Sequence, residues 1–294
     1  MGGPGSGLPR SLKHAMALAW RSRRAFLGTA AGAAAASLAA RDAPASPHPR
    51  RLKLGLASYS LRKFSLDQAI DMCRAMDVRY ITLKDVHLPL TASPEAIRAA
   101  RAKIEAAGIT IMGGGVIYMK SEDEARKAFE YARTAGLPVI VGSPDPGILD
   151  SVEKLVREYD IPVAIHNHGP EDKSYPAPQD VLRLVRARDR RLGVCMDVGH
   201  TVQAGVDPVK TVAECGDRLM DLHVKDLPSA DPRSSSVEAG KGIVDLPGLV
   251  RALHQRGFAG HFALEYEINE DHPEVGIRES LAYLRGAIDA VESA

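Results

Sequence analysis

The sequence predicts an α/β fold, a single closed (β/α)8 barrel, on three observations. Short apolar runs alternate eight times with longer segments of helical periodicity between residues 52 and 291. Four of those runs break at their carboxyl end into a residue able to hold a divalent cation. They are Val163-Ala164-Ile165-His166-Asn167-His168, Gly193-Val194-Cys195-Met196-Asp197, Met220-Asp221-Leu222-His223 and Phe262-Ala263-Leu264-Glu265. A parallel strand buried on both faces reads as a continuous apolar run, and in a closed barrel the carboxyl ends of all strands meet at one mouth. The third observation weighs against the open doubly wound sheet. The first run leads into Tyr59-Ser60-Leu61-Arg62, which is not a glycine-rich dinucleotide turn.

Taken in order, residues 53–58 form β1, and Ser65 caps a helix to residue 75. Residues 80–84 form β2. Ser93-Pro94 opens a helix to about residue 107, with proline at its first position and Gly108 as its stop. β3 covers 109–113, and Gly113-Gly114-Gly115 reads as a tight corner after it, without the Lys-Ser/Thr of a phosphate loop. Ser121 and Glu124 form a capping box for a helix to residue 134. β4 is placed at 138–141 with a helix over 148–159, β5 at 162–166, β6 at 192–197, β7 at 219–224 and β8 at 261–265. Helices fill the remaining gaps, and 274–291 closes the ring. The polar stretch 229–242 is the longest loop and is expected to act as a lid.

The ends of the chain carry a different message. Ser22-Arg23-Arg24-Ala25-Phe26-Leu27 precedes an apolar, small-residue stretch over 28–40, the layout of a twin-arginine (Tat) export signal. The stretch is too short and too rich in alanine and glycine to span a bilayer well. The expected organisation is therefore a Tat signal peptide and linker over 1–46 and the barrel over 47–294, exported to the periplasm or beyond. Residues 1–51 hold eight Lys/Arg and one acidic residue, leaving 30 Lys/Arg against 36 Asp/Glu in the body. A net acidic body lacks the cationic contacts that a nucleic acid backbone needs. Three cysteines make no disulfide framework, and Cys195 reads as a small core residue beside the mouth.

Leu56-Ala57-Ser58-Tyr59-Ser60-Leu61 on β1, Asp197-Val198-Gly199-His200 after β6, His223-Val224-Lys225-Asp226 on β7 and Leu264-Glu265 on β8 carry a resemblance. In this order they resemble the sugar isomerase/epimerase group of xylose-isomerase-like TIM barrels. The resemblance implies one divalent cation held by a β5 glutamate, a β6 aspartate, a β7 histidine and a β8 glutamate. Asp197, His223 and Glu265 match directly. At the β5 position His166 stands where the glutamate is expected. The resulting His-Asp-His-Glu set suits Mn²⁺ first, with Zn²⁺, Fe²⁺ and Co²⁺ as alternatives and Mg²⁺ disfavoured by the added imidazole.

The resemblance also implies proton abstraction next to a carbonyl, with Glu265 as the base. His166 and Glu171, five residues beyond it, are the β5-side candidates for acid/base work. His200, Lys225, Lys84 and His168 are candidate substrate contacts. The expected partners are a small carbohydrate without phosphate and the Tat translocase during export, with no stable membrane insertion and homo-oligomerisation left open. Isomerase or epimerase is the leading expectation. Loss of the β5 glutamate keeps two others in play: a keto-sugar or keto-inositol dehydratase or lyase, and a barrel that binds carbohydrate without turning it over.

Overall fold

Alternate residues of each apolar run face opposite sides of the sheet, and this separates two apolar regions. Outward-facing Leu56, Ile81, Ile140, Ile165, Val194, Leu222 and Phe262 pack with the apolar stripes of the helices into one large core. Inward-facing Val139, Val141, Ala164 and Cys195 form a small second cluster inside the barrel. The computed structural model describes residues 52–293. The Tat signal and linker expected over 1–46 lie outside them. Among the described residues no helix is long and apolar enough to cross a membrane.

Eight parallel strands close in sequence order: β1 Lys53–Ala57, β2 Tyr80–Leu83, β3 Thr110–Met119, β4 Ile140–Pro144, β5 Val163–His166, β6 Leu192–Asp197, β7 Leu219–Val224 and β8 His261–Leu264. β1 pairs with β8, with Lys53 opposite His261 and Leu56 opposite Leu264. The helices are α1 Leu66–Ala75, α2 Pro94–Ala106, α3 Glu122–Ala135, α4 Leu149–Tyr159, α5 Pro178–Val185, α6 Val198–Gln203, α7 Pro208–Cys215, α8 Leu246–Gln255 and α9 Glu274–Glu292. The fold is the barrel the sequence predicts. Ser58 and Ser60, in the 3-10 turn after β1, stitch the seam: the Ser58 hydroxyl accepts from Lys84 N at 2.8 Å and that of Ser60 from Tyr266 N at 2.8 Å.

Three local expectations need correction. The run Gly113-Gly114-Gly115 is not a corner; β3 passes through it to Met119. Its register shifts against β4 between Gly114 and Ile117, after which Tyr118 sits opposite Ser143 and Met119 opposite Pro144. The glycines let β3 lie close to β4: a Cβ on Gly115 would stand 1.9 Å from the Val141 carbonyl oxygen, and φ there is +146°. β4 accordingly lies at Ile140–Pro144, further along than 138–141. At α3, Ser121 caps Glu124 N at 3.2 Å, but the Glu124 carboxylate returns to Lys120 N at 2.7 Å, one residue earlier than a capping box requires.

The loop 229–242 is anchored. Asp226 accepts four backbone N–H groups, those of Leu227 (2.9 Å) and Val244 (3.1 Å) on Oδ1 and those of Gly240 (2.9 Å) and Gly242 (3.0 Å) on Oδ2. Gln203 Nε2 donates to the carbonyls of Pro232 and Ser234, both at 3.2 Å. These bonds tie the loop to Asp226 just past β7 and to Gln203 at the end of α6.

Candidate metal centre

The strand ends place the cluster. His166 is the last residue of β5 and Asp197 the last of β6, while Asp197 faces His223 across the β6–β7 pair. Glu265 follows β8 directly and its N–H continues the ladder to Val224 O at 2.9 Å. One ligand atom from each of His166, Asp197, His223 and Glu265 falls within 4.8 Å of all the others. The contacts are His166 Nε2 to His223 Nδ1 at 3.1 Å, His166 Nε2 to Asp197 Oδ2 at 3.4 Å and His223 Nδ1 to Glu265 Oε1 at 3.3 Å. All four side chains are buried.

So many charges out of water must be compensated. Lys225, two residues past His223 and buried like it, sets its ammonium 3.1 Å from Asp197 Oδ2, 2.9 Å from Glu265 Oε2 and 2.7 Å from Glu267 Oε2. Burial alone would strip its proton, but the three carboxylates hold its pKa well above the usual range. Burial would likewise raise Asp197 and Glu265. Lys225, His200 and His166 together outweigh it at Asp197, and His223 with Lys225 outweighs it at Glu265, so both carboxyls are held well below the usual carboxylate range. The two histidines part ways: burial first of all lowers His166 to about 3, whereas Glu265 overcomes burial at His223 and raises it to about 9. The raised His223 keeps a proton that lies between Glu265 Oε1 at 3.3 Å and His166 Nε2 at 3.1 Å from its Nδ1.

Without that proton, the same four side chains present two imidazole nitrogens and two carboxylate oxygens. Donors bonded about 2.1 Å from one ion lie within about 4.2 Å of each other, so a small contraction of the cluster suffices. Asp197 Oδ2 is also the atom a cation would satisfy: it is buried and receives no hydrogen bond of good geometry among the described residues. The donor set fits a divalent cation of the Mn²⁺, Fe²⁺, Co²⁺ or Zn²⁺ kind.

The remaining candidates separate. His200 lies on α6, its backbone N–H donating to Asp197 Oδ1 at 2.8 Å and its Nδ1 2.9 Å from Gln203 Oε1. That places its ring 6.3 Å from His166 and 6.2 Å from His168, at the rim of the cluster. His168 lies closer, its ring 4.4 Å from His166. Lys84 is not directed at the cluster; its ammonium binds Val116 O at 2.8 Å and pairs with Asp85 at 3.4 Å. Glu171 is exposed and makes no contact with the cluster among the described residues. The turn at Gly169, with φ of +85°, carries 170–171 outward, and Asp172 is the carboxylate that returns to His168.

Several residues that matter here carried no role in the sequence reading. Asn167 locks β5 to β6, its Oδ1 accepting from Asp197 N at 2.9 Å and its Nδ2 donating to Thr201 Oγ1 at 3.3 Å. Beneath His223, Asp221 faces inward on the same strand; burial raises it to about 7, and its Oδ1 is 3.8 Å from Cys195 Sγ. His261 on β8 pairs with Thr82 Oγ1 at 2.8 Å, burial lowers it to about 3, and Gly55 makes room for it across β1. Strand parity marks Asp221 and His261 as inward-facing polar residues. Glu267 is the third carboxylate on Lys225. The three cysteines are free and buried.

Fold and site together define a (β/α)8 barrel with a buried histidine–carboxylate cluster at its carboxyl mouth. The chain belongs to the xylose isomerase-like TIM barrel family, which it matches over residues 60–287. It is 27% identical over 142 residues to the rhizopine catabolism protein MocC of Rhizobium meliloti, an alignment covering 42% of this chain and only 43% of that protein. Two of the solved structures that share the fold illustrate it. One is the probable 3-DHS dehydratase AsbF involved in petrobactin synthesis from Bacillus anthracis, at TM-score 0.67 and 14% identity over 80% of this chain and 99% of that one. The other is the IOLI protein with a bound zinc atom, at TM-score 0.67 and 14% identity over 82% of this chain and 99% of that one.

Proposed function

We propose that the protein is an exported, divalent-metal-dependent enzyme that isomerises or epimerises a small non-phosphorylated carbohydrate by removing a proton next to a carbonyl. The observation that carries this is the meeting of His166, Asp197, His223 and Glu265 within 4.8 Å at the barrel mouth. These four would hold the ion. Once bound there, a divalent cation supplies positive charge to a substrate oxygen on which negative charge develops. Glu265 takes the carbon-bound proton. Lys225 stays beside it, adding a fixed positive charge and restraining the carboxylate through its contact at 2.9 Å. His200 and His168 border the space above the cluster and contact the substrate. Metal binding and carbohydrate chemistry in the family, with a bound zinc in the IOLI structure, support this reading.

A second reading, elimination by a keto-sugar or keto-inositol dehydratase, is favoured by His166. It leaves one carboxylate base beside the cluster where two-sided epimerisation needs a base on each face. A probable 3-DHS dehydratase, AsbF, shares the fold, which supports this reading.

Metal analysis of the purified protein, followed by NMR detection of exchange between substrate C–H and deuterated water, tests the proposal. Asp197→Ala, His223→Ala and Glu265→Ala are each expected to lose metal and exchange while keeping the circular dichroism of the barrel. A metal-free wild type with no exchange on any sugar would leave a carbohydrate-binding barrel. Export rests on Arg23 and Arg24; replacing both with lysine keeps the charge but removes the address the translocase reads. The double variant should stay in the cytoplasm, and its appearance in the periplasm would refute a Tat signal.

A further inference from the structure

The mouth holds a second polar array, on the β3 side, which the cluster does not use. Because β3 runs on to Met119, Tyr118 is delivered to the rim, where it is 54% exposed. Its hydroxyl lies 3.1 Å from His168 Nε2. His168 Nδ1 lies 3.4 Å from Asp172 Oδ2. Asp172 is itself fixed, its Oδ1 accepting from Ser174 N at 2.7 Å and Tyr175 N at 2.9 Å. Lys84, held by Val116 O, stands with its ammonium 5.9 Å above the Tyr118 ring. The rings of Tyr118 and His168 lie 5.6 Å apart, and His168 is next to His166. A substrate seated over the cluster therefore reaches Tyr118 across a single imidazole.

Asp172 Oδ2 lies 3.4 Å from His168 Nδ1 without hydrogen-bond geometry and acts on the imidazole as a nearby negative charge, so the one hydrogen bond whose direction must be assigned is that between the Tyr118 hydroxyl and Nε2. A carboxylate beside Nδ1 favours the tautomer with its proton there, which leaves Nε2 as an acceptor. The Tyr118 hydroxyl then donates to Nε2, and its oxygen lone pairs turn toward the open mouth. A phenol whose proton is committed inward and whose lone pairs face outward is an acceptor waiting for a donor. Carbohydrate hydroxyls are such donors, and the flat ring beside them offers apolar area to their C–H faces.

We propose that Tyr118 is a substrate-recognition residue that accepts a hydrogen bond from one particular hydroxyl of a polyhydroxylated substrate, with His168 and Asp172 as the residues that position it. The assignment rests on the carbohydrate reading above and adds the arm of the site that selects among sugars. Sites that hydrogen-bond a hydroxyl discriminate against analogues lacking it, because a polar group is then left unpaired.

Saturation-transfer NMR titrations of the metal-loaded full chain with D-glucose, D-xylose, D-fructose and myo-inositol provide the test, with monodeoxy forms of whichever binds. One deoxy form is expected to bind wild type about 3- to 10-fold more weakly than its parent, the value of one neutral hydrogen bond. Tyr118→Phe should weaken the parent by the same factor and show no further loss with that deoxy form. Asp172→Asn should give a smaller loss, and combining it with Tyr118→Phe should add nothing, as expected for residues acting through one hydroxyl. If a sugar binds and Tyr118→Phe discriminates among the deoxy forms as wild type does, the assignment fails and the carbohydrate reading stands. If none of the four binds wild type, the carbohydrate reading fails and the assignment falls with it.

Discussion

The two sides of the barrel mouth are built on opposite principles. On the β5–β8 side, His166, Asp197, His223, Lys225 and Glu265 are buried and carry several charges held together by one another. On the β3 side, Tyr118, with His168 and Asp172 from the loop after β5, forms a chain that is partly exposed and carries one carboxylate. The first side has the burial and charge density that the proposed ion binding and proton transfer call for. The second has the exposure that the proposed substrate contact calls for. The two sides meet at the end of β5, where His166 belongs to the buried cluster and His168 and Asp172, a few residues on, belong to the exposed chain.

That division can be broken from the chemical side with the largest effect. Glu265→Gln keeps the shape and one neutral oxygen toward the cluster but removes the basicity. Exchange of substrate C–H with deuterated water should fall about 10²- to 10⁴-fold while sugar still binds. Exchange near the wild-type rate would reduce Glu265 to a ligand and move the base elsewhere.

The β3 side breaks through its backbone. Gly115→Ala places a methyl group against the Val141 carbonyl in a conformation that side chains rarely adopt. A loss of about 2–3 kcal/mol in denaturant unfolding is expected. Titrations should show weaker sugar binding with metal affinity unchanged. A variant as stable as wild type would mean that the β3 path tolerates a side chain.

His166→Glu sharpens the comparison at the cluster. Exchanging imidazole for carboxylate should shift preference from Zn²⁺ toward Mg²⁺ and Mn²⁺ by about tenfold or more, read by competitive metal titration. An unchanged preference would place His166 outside the ligand set.

The smallest effect concerns acid stability of the metal-free protein. His261 is lowered to about 3 in the folded chain, against 6.5 when unfolded. Between those values the unfolded chain binds the extra proton, so its contribution is full above pH 6.5 and is lost as pH falls toward 3. The slope is about 1.4 kcal/mol per pH unit for each such histidine, and His166 adds in the same direction. His261→Gln should flatten the decline of the unfolding midpoint between pH 6.5 and 5. A decline as steep as in wild type would mean that His261 is not the group responsible.

The legibility of the two sides differs for a physical reason. Asp197, His223 and Glu265 each end an apolar run, and a strand end in a closed barrel has one destination. Asp221 and His261 could be placed inward by parity. Tyr118 could not be placed at all, because Gly113-Gly114-Gly115 reads locally as a turn, and continuation of the strand depends on how closely β4 approaches. Lys225 and Glu267 are visible as charged residues next to the right strands, yet their pairing depends on side-chain packing across a sequence separation of 42.

By itself, the sequence determined the closed barrel, the order of its strands and the strand ends that supply the buried cluster. These follow from apolar periodicity, chain connectivity and the single hand of βα units, all of which are local or topological. Only the tertiary structure decided which charges neutralise one another, which of two histidines keeps its proton, and which side chain beyond the cluster faces the mouth. Those outcomes depend on distances of about 3 Å between residues far apart in the chain, where burial magnifies each contact.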